Sequence, residues 1–277
     1  MYYETNDFNP QPSSYTARYN NPWTTSIPAE PAAALIVPEI MVDTLFAPQY
    51  ANFQKFILWE SVNFYLSCVS EVSLNVFPKD AIHLYPYEYV KRYLDFAHIP
   101  ESNRIKVTDY ISEEFLNQKD NYNINIPKEH LVTYYQAKGN IFTDKVMEVL
   151  RNKYHFTTLA LKGYSTEELI NIYTRSKVFV DFSYFPGKNR MFREALTCNN
   201  IIFTSDLGAA YYQKDVNIKR EYKVSPVYDD PEKVADKIFA KAGDFTVLSD
   251  DFYDVKQEVF KEKEIFDKNI KELAKKF

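Results

Sequence analysis

Short apolar runs alternate along this chain with amphipathic stretches, and the alternation predicts an αβ series. Ala34 to Val37, Phe56 to Trp59, Ala81 to Leu84 and Arg104 to Val107 each read as a strand, the first ending at Pro38-Glu39. Pro86 to Ala97 reads as a helix, with Tyr89, Tyr93, Leu94 and Ala97 on one face; Ser61 to Ser67 fits either state. A charged stretch from Asn117 to Glu129 reads as a surface linker. A second series follows. Strands are expected at Leu131 to Tyr135, Thr157 to Leu161, Lys177 to Phe182 and Ile201 to Thr204. Helices are expected at Asp144 to Arg151, Ser165 to Arg175, Arg193 to Cys198 and from a start at Asp230-Pro231 to about Ala242. Ser165 and Glu168 have capping-box spacing. Asp251 to Lys276 reads as one long charged helix with apolar positions at Phe252, Val255, Val259, Ile265, Phe266, Ile270 and Leu273. Such alternation argues for mostly parallel sheets with helices against them.

Four segments follow from this pattern. Residues 1–33, rich in Asn, Pro, Ser, Thr and Tyr, form an irregular arm; 34–129 and 130–250 form two Rossmann-like αβ lobes; 251–277 form a terminal helix. Ligands of such sheets sit outside the carboxyl ends of the strands, so a cleft between the lobes is the expected site.

Composition narrows the chemistry. Only five glycines occur (Gly139, Gly163, Gly187, Gly208 and Gly243), and none in the first 138 residues. A Gly-rich phosphate loop in the first half is therefore excluded. The net charge of −5 argues against a broad nucleic-acid-binding face and favours a small cationic pocket for a small anion. The 23 tyrosines and 21 phenylalanines read first as core. Cys68 and Cys198 lie far apart in apolar surroundings and read as buried free thiols of a reducing, cytoplasmic compartment. No apolar run is long enough to span a membrane, and residues 1–4 show no signal-peptide pattern. The histidines lack metal-ligand spacing, no Asp-x-Asp motif occurs, and no metal or cofactor is expected.

The densest chemistry lies in Asp181 to Ala195, a strand end, a Pro-Gly turn and a helix start carrying Lys188, Arg190, Arg193 and Glu194. Helix N-termini attract anions through unpaired N–H groups and the helix dipole. Added cations suggest a phosphate site, and the added carboxylate suggests a ribose or sugar hydroxyl partner.

Those residues carry a resemblance. Glu167-Glu168-Leu169-Ile170, Tyr173 and Ser176 to Asp181 resemble the donor-domain segment of GT-B glycosyltransferases. Phe185-Pro186-Gly187-Lys188-Asn189-Arg190 with Arg193-Glu194-Ala195 resembles a small GT-B branch with the motif Pro-Gly-Lys-Asp-Arg-x-Pro-Arg-Glu-Ala. Ile36 to Glu39, Thr108 to Ile111, and Lys138-Gly139 with Phe142-Thr143 are similar to shorter pieces of that branch, in order. Three departures stand out. Pro186 occupies the place of a Glu common in retaining members; Asn189 and Phe192 replace Asp and Pro; and the chain opens at what resembles the second strand, so the N-terminal lobe is expected to lack the first strand, Gly-rich turn and helix.

The resemblance implies metal-independent transfer of a sugar from a nucleotide diphosphate sugar to a glycan or lipid-linked acceptor of polysaccharide biosynthesis, with possible peripheral membrane contact. Lys188 and Arg190 would take the diphosphate, helped by Arg193, Gly187 and Lys138; Glu194 would hold the ribose. Glu39, Asp109 and Asp181, all near strand ends, are the carboxylates placed to serve catalysis, Glu39 as a general base. Two other readings stay open: a nucleotide-sugar-binding pseudoenzyme or partner subunit, and a structural scaffold.

Overall fold

A computed structural model describes residues 24–27, 33–68, 77–119, 127–136, 141–244 and 250–276. Most of the expected arm and much of the expected linker lie outside them.

The first lobe is built on β1 (Ala34–Pro38), β2 (Gln54–Leu58), β3 (Ile82–Tyr85) and β4 (Arg104–Lys106). They pair in parallel in the order β1-β2-β3-β4. The second lobe holds β5 (Leu131–Tyr135), β6 (Thr157–Leu161), β7 (Val178–Asp181), β8 (Ile201–Ser205) and β9 (Lys223–Val224), parallel in the order β6-β5-β7-β8-β9. The chain moves from β5 to one side and returns to the other, so β5 and β7 flank a topological switch point. The crevice of an open α/β sheet lies there. Every residue of β7 and β8 is buried, as continuous apolar runs covered on both faces require.

Helices α1 (Val62–Cys68), α2 (Glu88–Phe96) and α3 (Glu113–Leu116) belong to the first half, and α4 (Ile141–Tyr154), α5 (Thr166–Arg175), α6 (Arg190–Thr197) and α7 (Pro231–Ala242) to the second. The ambiguous stretch after Ser61 is thus helical. The Ser165–Glu168 capping box forms as its spacing predicts. Asp230 caps α7, accepting from the N–H groups of Glu232 and Lys233 ahead of a Pro at the first helical position. A 3-10 segment, Glu39–Phe46, had no signal in the apolar pattern.

The expected terminal helix divides into α8 (Tyr253–Phe260) and α9 (Glu262–Ala274) around Lys261. The two pieces serve different cores. Phe252, Val255 and Val259 enter the second-lobe core. Leu273 and Phe266 pack with Phe56, Leu84 and Val107 of the first lobe. The side chain of Asn269 accepts from both the N–H and the hydroxyl of Thr108, which pins α9 beyond β4. The chain therefore starts in one lobe, builds the other, and returns.

Aromatic residues go largely into these cores, as read from composition. Trp59 packs on Tyr65 and Tyr93 at ring distances of 5.2 and 5.5 Å. His83 is fully buried beside it, its Nδ1 accepting from the Trp59 indole N–H and its Nε2 facing the Pro78 carbonyl. Burial lowers the His83 pKa to about 4, so the ring is neutral and structural. Cys198 is buried, but Cys68 is exposed at the end of α1, against the sequence expectation: its helix is only seven residues long and turns that position outward.

Candidate functional site: a charged cleft between the lobes

The loop after β7 runs across the switch point and is held from below by one carboxylate. Asp181 is fully buried; its Oδ1 accepts from the Ser183 N–H at 3.0 Å and its Oδ2 from the Asn189 amide at 2.6 Å. Asn189 in turn caps α6 by accepting from the Met191 N–H. Asp181 therefore fixes the loop and does not face the cleft. Of the carboxylates expected to serve catalysis, Asp181 thus lies off the cleft wall, with its oxygens engaged in the loop.

Gly187 sits where the lobes meet. A Cβ built on it would lie 2.8 Å from the Glu60 carbonyl oxygen and 2.9 Å from Tyr87 Cζ, and closer still to the Tyr87 hydroxyl. That hydroxyl donates to the Glu60 carbonyl. Gly187 is thus required by close approach of the opposite lobe. A second tie runs the other way: Asp215 accepts from the N–H groups of Glu88 and Tyr89 at 2.7 and 2.8 Å, capping α2 from across the interface.

Between the lobes lies a cleft of about 900 Å³ whose walls include Glu60, Tyr87 and Asp109 on one side and Tyr135, Lys188 and Arg190 on the other. Beneath it lies Arg193, 1% exposed. All three guanidinium nitrogens are engaged. Nη1 donates to Glu262 Oε2 at 2.7 Å and Asp109 Oδ1 at 3.3 Å; Nη2 to Asp109 Oδ2 at 2.6 Å and the Lys188 carbonyl at 3.1 Å; Nε to the Asn189 carbonyl at 3.4 Å. A guanidinium so committed has no donor left for a diphosphate, so Arg193 is a clamp that ties α6 to Asp109 and to α9. Lys188 Nζ donates to Glu262 Oε1 at 2.6 Å, yet its side chain remains 26% exposed at the cleft.

Arg190 projects outward, its side chain 75% exposed, with Nε 3.7 Å from Glu194 Oε1. The Glu194 side chain is only 5% exposed. Among the described residues, Glu194 Oε2 has no hydrogen-bond partner, and neither has the buried Tyr173 hydroxyl. Burial pushes the Glu194 carboxyl up, against the pull of Arg190 and Arg193. A buried carboxylate oxygen left without a donor is costly, and a ligand hydroxyl would relieve that cost.

Glu39 is 2% exposed, and its two oxygens accept from the Glu60 and Ser61 N–H groups at 3.0 and 2.9 Å. It pins the turn entering α1 and is not on the cleft wall; as a base it would have to surrender both amides. Burial pushes its pKa up despite those backbone hydrogen bonds. Of the three expected catalytic carboxylates, only Asp109 lies on the cleft. Lys138 and Gly139 fall outside the described residues. Among the described residues no group of three His, Cys, Asp or Glu side chains could hold a metal ion.

Sequence reading missed Tyr87, Asp215 and Glu262. Glu262 lies in the mixed stretch Lys261 to Glu264, where nothing local distinguishes it. Asp215 had an indirect signal: α2 opens after Tyr87, which offers no side-chain cap, so its N-terminus had to be satisfied from elsewhere.

No protein-family model and no curated protein sequence matches the chain. Solved structures do. The chain superposes on a point mutant of TarM from S. aureus, solved with fondaparinux, alpha-GlcNAc-glycerol and UDP, at a TM-score of 0.60 and 14% identity, covering 87% of this chain and 54% of that one. Sucrose-phosphate synthase from Thermosynechococcus elongatus matches at 0.59 and 15% identity, covering 95% and 75%. The pneumococcal O-GlcNAc transferase GtfA, solved with UDP and GlcNAc, matches at 0.51 and 12%, covering 87% and 56%. The fold is the mixed α/β, parallel-sheet arrangement of these GT-B glycosyltransferases, and the chain spans about half the length of the TarM structure.

Proposed function

We propose that the chain binds a nucleotide diphosphate sugar in the interlobe cleft and transfers its sugar to a glycan or lipid-linked acceptor. The observation that carries this reading is the buried, unpartnered Glu194 Oε2 beside the outward-facing Arg190 at the switch point of the second sheet. A ribose supplies the hydroxyl that this oxygen lacks; Arg190 and Lys188 supply charge for the diphosphate. The UDP bound in two of the fold neighbours supports a nucleotide donor in this fold.

In the transfer, the bond between the anomeric carbon and the diphosphate oxygen breaks, an acceptor hydroxyl oxygen bonds to that carbon, and the hydroxyl proton passes to the departing diphosphate. Negative charge grows on the departing diphosphate, where Lys188 and Arg190 stabilise it, so the residues present require no metal for that task. Asp109, the one carboxylate of the expected three on the cleft wall, would orient the acceptor hydroxyl through a lone pair that Arg193 does not take. The reaction is set in the cytoplasm, with peripheral membrane contact where the acceptor is lipid-linked. No described helix is long and apolar enough to cross a membrane.

A second reading, a nucleotide-sugar binder without turnover, is favoured by one observation: Lys188 and Arg193 are already paired with carboxylates. A thermal-shift panel with UDP, GDP, CDP, TDP and ADP tests the site. One nucleotide should raise Tm by mass action, and Lys188→Ala/Arg190→Ala should abolish the rise. A well-folded sample that responds to none of them refutes donor binding. Binding without hydrolysis of the matching nucleotide sugar selects the second reading.

A further inference from the structure

Glu262 has no place in the donor site as proposed, yet its carboxylate pairs with two cations of that site, Lys188 and Arg193, from the edge of an adjoining cavity. Its side chain is 6% exposed and bridges Lys188 and Arg193 at 2.6 and 2.7 Å. Lys188 is the more exposed of the two cations, at 26%, and it faces the cleft. The Glu262 oxygen thus occupies the position from which a phosphate oxygen would accept the Lys188 proton.

We propose that Glu262 is a resident anion of the phosphate subsite, displaced from Lys188 when a diphosphate binds, and so a determinant of ligand affinity and charge selectivity. This rests on the nucleotide-diphosphate reading above. Three features make the exchange feasible. Glu262 retains its hydrogen bond from Arg193 Nη1 when Lys188 leaves, so its charge stays paired in a buried setting. It is the first residue of α9, a thirteen-residue helix, and a carboxylate there is also favoured by the helix dipole. Lys188 has a flexible stem with rotatable donors, suited to swapping partners. A diphosphate, with more charge than one carboxylate, outcompetes Glu262; a monoanion does not.

The swap also reaches across the interface. Glu262 belongs to α9, whose Phe266 and Leu273 pack on the first-lobe sheet, whereas Lys188 belongs to the second lobe. Taking Lys188 away removes one tie between the lobes and leaves the Arg193 clamp in place. Ligand binding and lobe geometry thereby share one ion pair.

The test is a calorimetric titration with inorganic pyrophosphate at low ionic strength, a probe that does not depend on the unknown base. Wild type, Glu262→Gln, Lys188→Ala and the double variant are compared, each shown to be folded by circular dichroism. Glu262→Gln should tighten pyrophosphate binding by roughly tenfold, as expected for removing one partly buried competing charge. In the Lys188→Ala background the same substitution should change nothing, whereas a general loosening of the interface would act in both backgrounds. Equal or weaker binding by Glu262→Gln, with Lys188→Ala still weakening binding, overturns the resident-anion role and leaves the phosphate site standing. No binding by any variant overturns the phosphate reading and this inference together. If Glu262→Gln does not fold, Glu262→Asp, which draws the carboxylate back from Lys188 while keeping its charge, should tighten binding to a smaller extent; unchanged or weaker binding refutes the role.

Discussion

Gly187→Ala concentrates the interface argument in one methyl group. An added Cβ would lie 2.8 Å from the Glu60 carbonyl oxygen and 2.9 Å from Tyr87 Cζ, with the Tyr87 hydroxyl nearer than either. Backbone and an anchored ring cannot both give way, so the loop after β7 and the first lobe must separate. Overpacking of this kind costs about 1–3 kcal/mol. Losing the hydrogen bond from Tyr87 to Glu60 adds about 1–3 kcal/mol where the freed groups stay away from water. Against this, alanine restricts the unfolded chain and returns about 0.4–1 kcal/mol. The net expectation is a loss of about 2–4 kcal/mol, read as a fall in the urea midpoint on the order of 1 M. Tyr87→Phe removes the nearest clashing atom, so the double variant should lose less than the sum of the two single ones, by roughly 1 kcal/mol in a double-mutant cycle. A Gly187→Ala protein as stable as wild type would refute the reading that this glycine exists for lobe contact.

Two further outcomes follow from buried charge. Arg193→Met removes the cation shared by half-exposed Asp109 and buried Glu262, which keeps Lys188, so urea unfolding should show a loss of about 1.5–3 kcal/mol; a loss below about 0.5 kcal/mol would show that the clamp is not structural. Lys256 in α8 is buried, donates to Asn199, and has its pKa lowered to about 7, mainly by burial and further by Lys128. The unfolded chain holds this proton up to about pH 10.5, so between about pH 7 and 10.5 the unfolded state binds more protons and stability rises with pH, by up to about 1.4 kcal/mol per unit. Lys256→Met should flatten that rise in stability curves measured from pH 7 to 9.5; an unchanged slope would place the titration elsewhere.

The charge constellation bears on how an acidic chain could carry the proposed anion site. Lys188, Arg190 and Arg193 each lie against a carboxylate, respectively Glu262, Glu194, and Asp109 with Glu262. Pairing lowers the cost of gathering three cations in a half-buried cleft before any ligand arrives. Under the proposal above, a ligand would exchange partners rather than fill a void, and its affinity would depend on Glu262 as well as on the cations.

Much of the architecture was legible from one-dimensional pattern. Strands β5 and β6 run over the residues that their apolar patterns predicted, and α5 and α7 start at the caps that Ser165 and Asp230 announced. Those signals are local: burial repeats at two or 3.6 residues, and a cap acts within one turn. The strand–turn–helix of Asp181 to Ala195 was legible for the same reason, and so was the crowd of charges at its end. What each charge does was not. Arg193 binds partners 84 and 69 residues away in the chain, and Lys188 one that is 74 away. Nothing within a turn of Arg193 says that it is buried and spent, or within a turn of Arg190 that it is exposed beside Glu194. Glu39 and Asp181 likewise end strands as catalytic carboxylates often do, and only the folded chain shows that amide donors engage both and that neither lines the cleft. The break at Lys261 belongs with them: α8 and α9 share one apolar period, but their faces belong to different lobes. Periodicity along the chain determines which face of an element is buried; which atoms finally meet there depends on how distant elements pack.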